Sequence, residues 1–88
     1  MLGEGGHGVE DVRPLDAVQV RHGQPARFCW RGRWYTVKQS LDSWHEINRW
    51  WLGESEMMWW RLESTDRGVW EIGWRPSAAT WWLGRIWD

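Results

Sequence analysis

The chain has 88 residues, a formal net charge of −1 and a single cysteine, Cys29. A chain of this length makes one small domain with a thin core, burying roughly 60% of its unfolded surface. The near-neutral charge argues against a generic basic nucleic-acid binder, and one cysteine excludes an internal disulfide, which points to a reducing cytoplasm.

Residues 1–13 carry four glycines and little that is apolar, so they are expected to form a flexible tail that cannot repay its ordering entropy. They lack the basic-then-apolar order of a secretory signal. No run of about 18 apolar residues occurs anywhere, so no membrane partner is expected. Pro14 begins the folded part, 14–88. Ala17–Arg21 alternates and predicts a first strand, the His22–Pro25 stretch carries turn chemistry, and Arg27–Trp30 predicts a second strand.

A two-residue hairpin turn at Arg31-Gly32 leads into the third strand, because Gly32 can take the positive φ such a turn demands. That strand runs from Arg33 to at least Lys38. Alternation places Phe28 and Trp30 on one face of the second strand and Arg27 and Cys29 on its other, and on the third strand Tyr35 and Val37 on one face and Trp34 and Thr36 on the other. In the next segment Leu41, Trp44, Ile47 and Trp51 recur at helical spacing, and Asp42 or Ser43 could cap a turn with Glu46. A bent strand fits the β-like flanks better, leaving a short helical turn near 42–50 as the alternative.

After a loop at 52–56, strands are predicted at 57–63, 69–74 and 79–87, joined by the Ser64–Gly68 and Arg75–Ala78 turns. Parity with Leu62 puts Trp60 inside and Trp59 outside. Trp70, Ile72 and Trp74 share a face, and Gly84 marks a bulge that leaves the inward member of Trp81-Trp82 open. Six short strands with turns about every ten residues predict an all-β antiparallel meander closing into an SH3-like or similar small barrel.

Twelve tryptophans exceed what one such core hides, so some should lie at the surface or against a partner. Residues 17–41 hold Arg21, Arg27, Arg31, Arg33 and Lys38 and no acid, whereas 1–16 and 39–88 each sum to −3. A basic hairpin on an acidic domain is a footprint for an acidic partner, with a solvated strand face as the bland alternative. Arg27, Arg31, Arg33, Trp34, Trp44, Trp50, Trp59 and Trp81 are the candidate partner-binding residues. Arginine beside outward aromatic side chains is what protein interfaces use as anchors. It is also what single-stranded DNA binders use, at about 1–3 kcal/mol per stacked base. Outer tryptophans can equally be covered by arginine stems or by a second copy of the chain, as in a homodimer.

Catalytic chemistry finds no inventory. The three histidines, His7, His22 and His45, sit in the tail, a turn and the ambiguous segment. No metal-ligand spacing or phosphate-cradling glycine loop occurs, so no catalytic residue, metal or cofactor is expected. Cys29 on an alternating strand reads as a small packed residue.

The run Trp30-Arg31-Gly32-Arg33-Trp34-Tyr35-Thr36-Val37, followed by Leu41-Asp42-Ser43-Trp44-His45-Glu46 and Trp50-Trp51, resembles a small actinobacterial-type domain family of unknown function. Trp60-Arg61-Leu62-Glu63, Gly68-Val69-Trp70-Glu71-Ile72 and the closing Trp82-Leu83 and Ile86-Trp87-Asp88 continue the likeness over about residues 17–88. Members are similar to small proteins encoded beside translesion (mutasome) DNA polymerase genes. The resemblance implies a setting in DNA-damage tolerance and carries no known activity or site residue. The expectation is therefore a non-enzymatic cytoplasmic adaptor that binds a protein, such as a translesion polymerase component, with single-stranded DNA binding as the alternative.

Overall fold

The computed structural model describes residues 12–48 and 55–87. They form seven strands: β1 (Arg13–Pro14), β2 (Ala17–Arg21), β3 (Gln24–Trp30), β4 (Arg33–Asn48), β5 (Ser55–Ser64), β6 (Val69–Arg75) and β7 (Thr80–Trp87). All pairings are antiparallel, in the order β1-β7-β6-β5-β4-β3-β2. The expected all-β meander is present, with two corrections. There are seven strands rather than six, because Arg13 and Pro14 pair with Leu83 and Trp82 as a short extra strand. The sheet also curls into a half-barrel instead of closing, since two residue pairs at one edge are too few to zip it shut.

Of the expected tail, residues 1–11 lie outside the described residues, and Arg13 belongs to β1. Beyond Pro14 the chain crosses from β7 to β3. Leu15 N–H donates to the Trp81 carbonyl at 3.1 Å and Asp16 N–H to the Cys29 carbonyl at 3.0 Å.

β4 has 16 residues and serves two partners. Its first part pairs with β3 from Arg33 to Thr36, and its remainder with β5 from Val37 to Asn48. Register shifts leave Lys38 and Leu41 as extra residues, and bulges of this kind bend a strand and raise its twist. The segment 42–48 is thus the bent strand and not the helical turn; residues 49 and 50 lie outside the described residues. Ser55 and Glu56, expected in a loop, belong to β5.

The turns follow from backbone chemistry. Arg31 and Gly32 have φ of 53° and 80°, the doubly positive pair of a type I′ hairpin, and His22-Gly23 repeats it at 55° and 78°. The register confirms the faces read from parity. Phe28 pairs with Tyr35, Leu62 with Trp70, Trp60 with Ile72, and Ile72 with Leu83, all towards the concave side. Gly84 is the unpaired residue of a bulge opposite Glu71/Ile72.

The core consists of Phe28, Leu62, Trp70, Ile72 and Leu83, with Tyr35, Val37, Trp60 and Trp81 packed against it. Phe28, Tyr35 and Trp70 form an aromatic triad with centroids 4.5–5.3 Å apart. The buried Trp70 indole N–H donates to Ser64 Oγ at 3.0 Å, and the Ser64 hydroxyl in turn donates to Asp66. Ser64 is itself 1% exposed, so this relay carries a core polar group out to the β5–β6 turn.

Removing the relay should be costly. Ser64→Ala leaves the Trp70 N–H without its partner and should lower stability by about 1–3 kcal/mol in denaturant unfolding, and by much less in a Trp70→Phe background. Asp66 is held below its ordinary value of 3.8 by the Ser64 hydroxyl first and the Gly68 N–H second. Its contribution to stability is present above the ordinary aspartate range and is lost as pH falls through the lowered value. Asp66→Asn should therefore flatten the acid limb of a plot of thermal midpoint against pH.

Candidate functional site

The convex face of β4–β7 is built in cross-strand rows. Trp44, Trp59, Gly73 and Trp82 are successive partners in one row, and Asp42, Arg61, Glu71 and Arg85 in the next. Trp59 points outward as parity predicts, yet it is 8% exposed. Its ring lies flat across Gly73 and Gly84, where an added Cβ would come within 2.7 Å of ring carbon Cζ3 at either position. Trp44 stacks over it at 6.4 Å, and the Trp59 indole N–H donates to Glu46 Oε1 at 2.8 Å.

The adjacent row alternates in charge. Arg61 donates through Nε and Nη2 to Glu71 Oε2 at 3.2 and 3.0 Å, and its guanidinium also lies over Trp44 and Trp87. Trp87 is capped by Arg85 and donates its N–H to Glu71 at 3.1 Å. Trp44 and Trp59 are therefore covered by their own chain, whereas Trp87, though capped and hydrogen-bonded, keeps 41% of its surface exposed.

The β3–β4 hairpin is arranged differently. Arg27 lies over the Trp34 ring at 4.7 Å and donates to Gln19 at 3.3 Å, on the outer face, where Trp34 keeps 41% of its surface exposed. Arg31 covers Trp30 at 5.1 Å, at the tip. Arg33 shares the concave side with Tyr35, over whose ring it lies at 5.0 Å, and reaches Asp66 at 4.0 Å. Asp16 supports the tip from below, accepting the Gly32 N–H at 2.9 Å and the Cys29 thiol at 3.7 Å. Burial, with Asp16 alongside, pushes the Cys29 thiol above its ordinary 9.0, so it stays protonated and behaves as a packed residue.

The structure thus divides the sequence-predicted set. Arg27, Trp34, Trp44 and Trp59 share the outer face, but only the Arg27/Trp34 pair is open. Trp81 packs on the concave side against Trp74 and Trp60 at 4.8 and 5.7 Å. Arg31 and Arg33 sit at the tip and on the inner side, and Trp50 lies outside the described residues. Sequence reasoning missed Gly73 and Gly84 as the seat of Trp59. Glycines inside strands signal close approach of another group, and their pairing with an outward tryptophan needs the register. Among the described residues no cluster of three or more His, Cys, Asp or Glu could hold a metal. No helix there is long and apolar enough to cross a membrane.

With this geometry in view, the sequence matches a family described as a domain of unknown function, DUF6504, over residues 9–88. The chain belongs to this family. No curated protein and no solved structure matches it. Membership agrees with the small domain family of unknown function that the Trp-Arg-Gly-Arg hairpin and the later motifs resemble.

The seat of Trp59 is testable. Gly73→Ala should destabilise the domain by about 1–3 kcal/mol through overpacking. In a Trp59→Ala background the same change should cost little, because the ring is gone and the other close group, Met57 Cε at 2.8 Å, ends a flexible side chain that can move aside. A double-mutant cycle by urea unfolding reads the coupling.

Proposed function

We propose that the domain is a non-enzymatic adaptor that binds a protein partner through the outer face of β2, β3 and the first part of β4. The observation that carries this reading is Trp34, as exposed as Trp87 at 41% but, unlike Trp59 and Trp87, without a hydrogen-bond partner for its indole N–H among the described residues. On the β4–β7 face the rings are stacked, capped by arginine or seated on glycine, with indole N–H groups bonded to Glu46 and Glu71. On the β3–β4 hairpin the exposed Trp34 is held flat under Arg27, the pairing of aromatic ring and guanidinium that anchors protein interfaces. A role without catalysis is supported by the chain's one thiol being buried and reluctant to ionise. The resemblance to proteins encoded beside mutasome polymerase genes supplies the setting we infer, translesion DNA synthesis in a bacterial cytoplasm.

Single-stranded DNA binding is the second reading, favoured by the acid-free stretch 17–41. It would call for several open rings along one groove. On the β4–β7 face Trp59 is buried and Trp44 and Trp82 are half-buried, which leaves Trp87 as a single exposed ring among the described residues there.

Tryptophan fluorescence titrated with mixed-sequence single-stranded oligonucleotides, at low and at physiological salt, should stay flat. Saturable quenching that weakens with salt and is lost in Arg27→Ala would instead establish the DNA reading. Immobilised domain should retain a protein from lysate of its source cells, and Trp34→Ala should reduce that retention about tenfold or more, as an aromatic hot spot does. Retention unchanged in Trp34→Ala would overturn the assignment of this face.

A further inference from the structure

The β3–β4 ladder ends at the Arg27–Thr36 pair, while β4 continues as the partner of β5 and β3 as the partner of β2. The two strands therefore part company, and a groove of about 270 Å³ opens in the fork between residues 24–26 and 37–40, with Arg21 and His22 beside it. Each wall carries an extra residue. The register skips Ala26 in β3 and Lys38 in β4, so both belong to bulges. Neither wall is laddered to the other, and main-chain groups along the fork have no strand partner across it. Bulges beside an opening of this kind serve to re-aim side chains.

The electrostatics differ from those of the arginine tip. At the tip, Asp16 bonds to Gly32 N–H and Asp66 lies by Arg33. At the fork, Arg21 and Lys38 line the groove with His22, and no carboxylate lines it. Neither Arg21 nor Lys38 takes part in any ion pair among the described residues. Glu63 stands near by, on the outer face, where it accepts a 2.6 Å hydrogen bond from Gln39 Nε2.

Two exposed aliphatic side chains adjoin the lining residues in sequence. Val20 pairs with Pro25, a groove residue, and is 52% exposed; Leu41, the extra residue of the second β4 bulge, is 47% exposed. The lining contains no Trp, Tyr or Phe on which a base could stack.

We propose that this fork is the docking site for an acidic, extended segment of a partner protein. An Asp or Glu side chain enters between Arg21 and Lys38, and an apolar neighbour covers Val20 or Leu41. Charge complementarity selects the occupant: the lining is cationic and acid-free within a chain whose segments 1–16 and 39–88 each sum to −3. The inference rests on the protein-binding reading and gives it a partner chemistry.

The test is an amide NMR titration of the full chain with three probes: a synthetic peptide alternating Glu and Leu, its Lys/Leu counterpart, and oligothymidine. The Glu/Leu peptide should shift amides of residues 20–26 and 36–41, with an affinity that falls as salt rises. R21E/K38E should weaken it at least tenfold, and R21Q/K38Q serves as the milder variant if charge reversal disturbs folding. The Lys/Leu peptide should leave these amides unmoved. Absence of shifts in the two stretches, equal shifts with the basic peptide, or tighter binding of oligothymidine there would each overturn the proposal. Trp34-dependent retention of a partner without these shifts would sink the fork alone. Shifts present with retention indifferent to Trp34 would keep the fork and sink the Trp34 face.

Discussion

A sheet with no helix packed on it among the described residues must cover both of its sides itself, and here the Trp59 indole lying across Gly73 and Gly84 makes that feasible on the convex side. One aromatic ring removes about 150–250 Å² from water, so a single residue does there what a packed helix does in larger folds. Two glycines lower the surface of β6 and β7 enough to admit it. Trp44 then stacks on the outside, and the alternating Asp42, Arg61, Glu71 and Arg85 row bounds the patch. The ion pair in this row, Arg61 with Glu71, is only partly buried and adds on the order of 1 kcal/mol or less. Its role is geometric: it holds Trp87 and Trp44 against the sheet.

The concave side has its own solution, an aromatic triad around Phe28 with a buried relay from Trp70 through Ser64 to Asp66. With most of both faces of β5–β7 covered internally, apart from Ile86 and Trp87 at the end of β7, the binding surface we propose lies on the half of the molecule formed by β2, β3 and early β4. That half is thinner, basic and forked. The same bulges that let β4 change partners, at Lys38 and Leu41, place a cation and an aliphatic side chain at the parting of the strands. Fold and candidate site therefore share one cause, the obligation of a 16-residue strand to serve two ladders.

Much of this was legible in the residues themselves. Gly32 marked the hairpin turn, alternation separated Trp59 from Trp60, and Gly84 marked the bulge in β7. The helix-like spacing of Leu41, Trp44 and Ile47 misleads for a physical reason. Leu41 is a bulge residue, Trp44 faces outward beside Trp59, and Ile47 faces the other way, so the three share no face at all. The extra strand was hidden because Arg13 and Pro14 have no alternating pattern and are held by β7 alone. The dispersal of the candidate site had a similar origin. Gly32 and Arg33, adjacent in sequence, meet Asp16 and Asp66 only through long-range folding, whereas Arg21 and Lys38 become neighbours of one groove through the fork.

That Trp59 is buried and bonded to its own chain while the Trp34 ring is exposed is tested most directly by hydrogen exchange at the indole N–H groups. The account predicts slow exchange for Trp59 and Trp70, whose N–H groups donate to Glu46 and Ser64, and fast exchange for Trp34. Exchange at Trp59 as fast as at Trp34 would contradict it, and would return the convex face to the list of free binding surfaces.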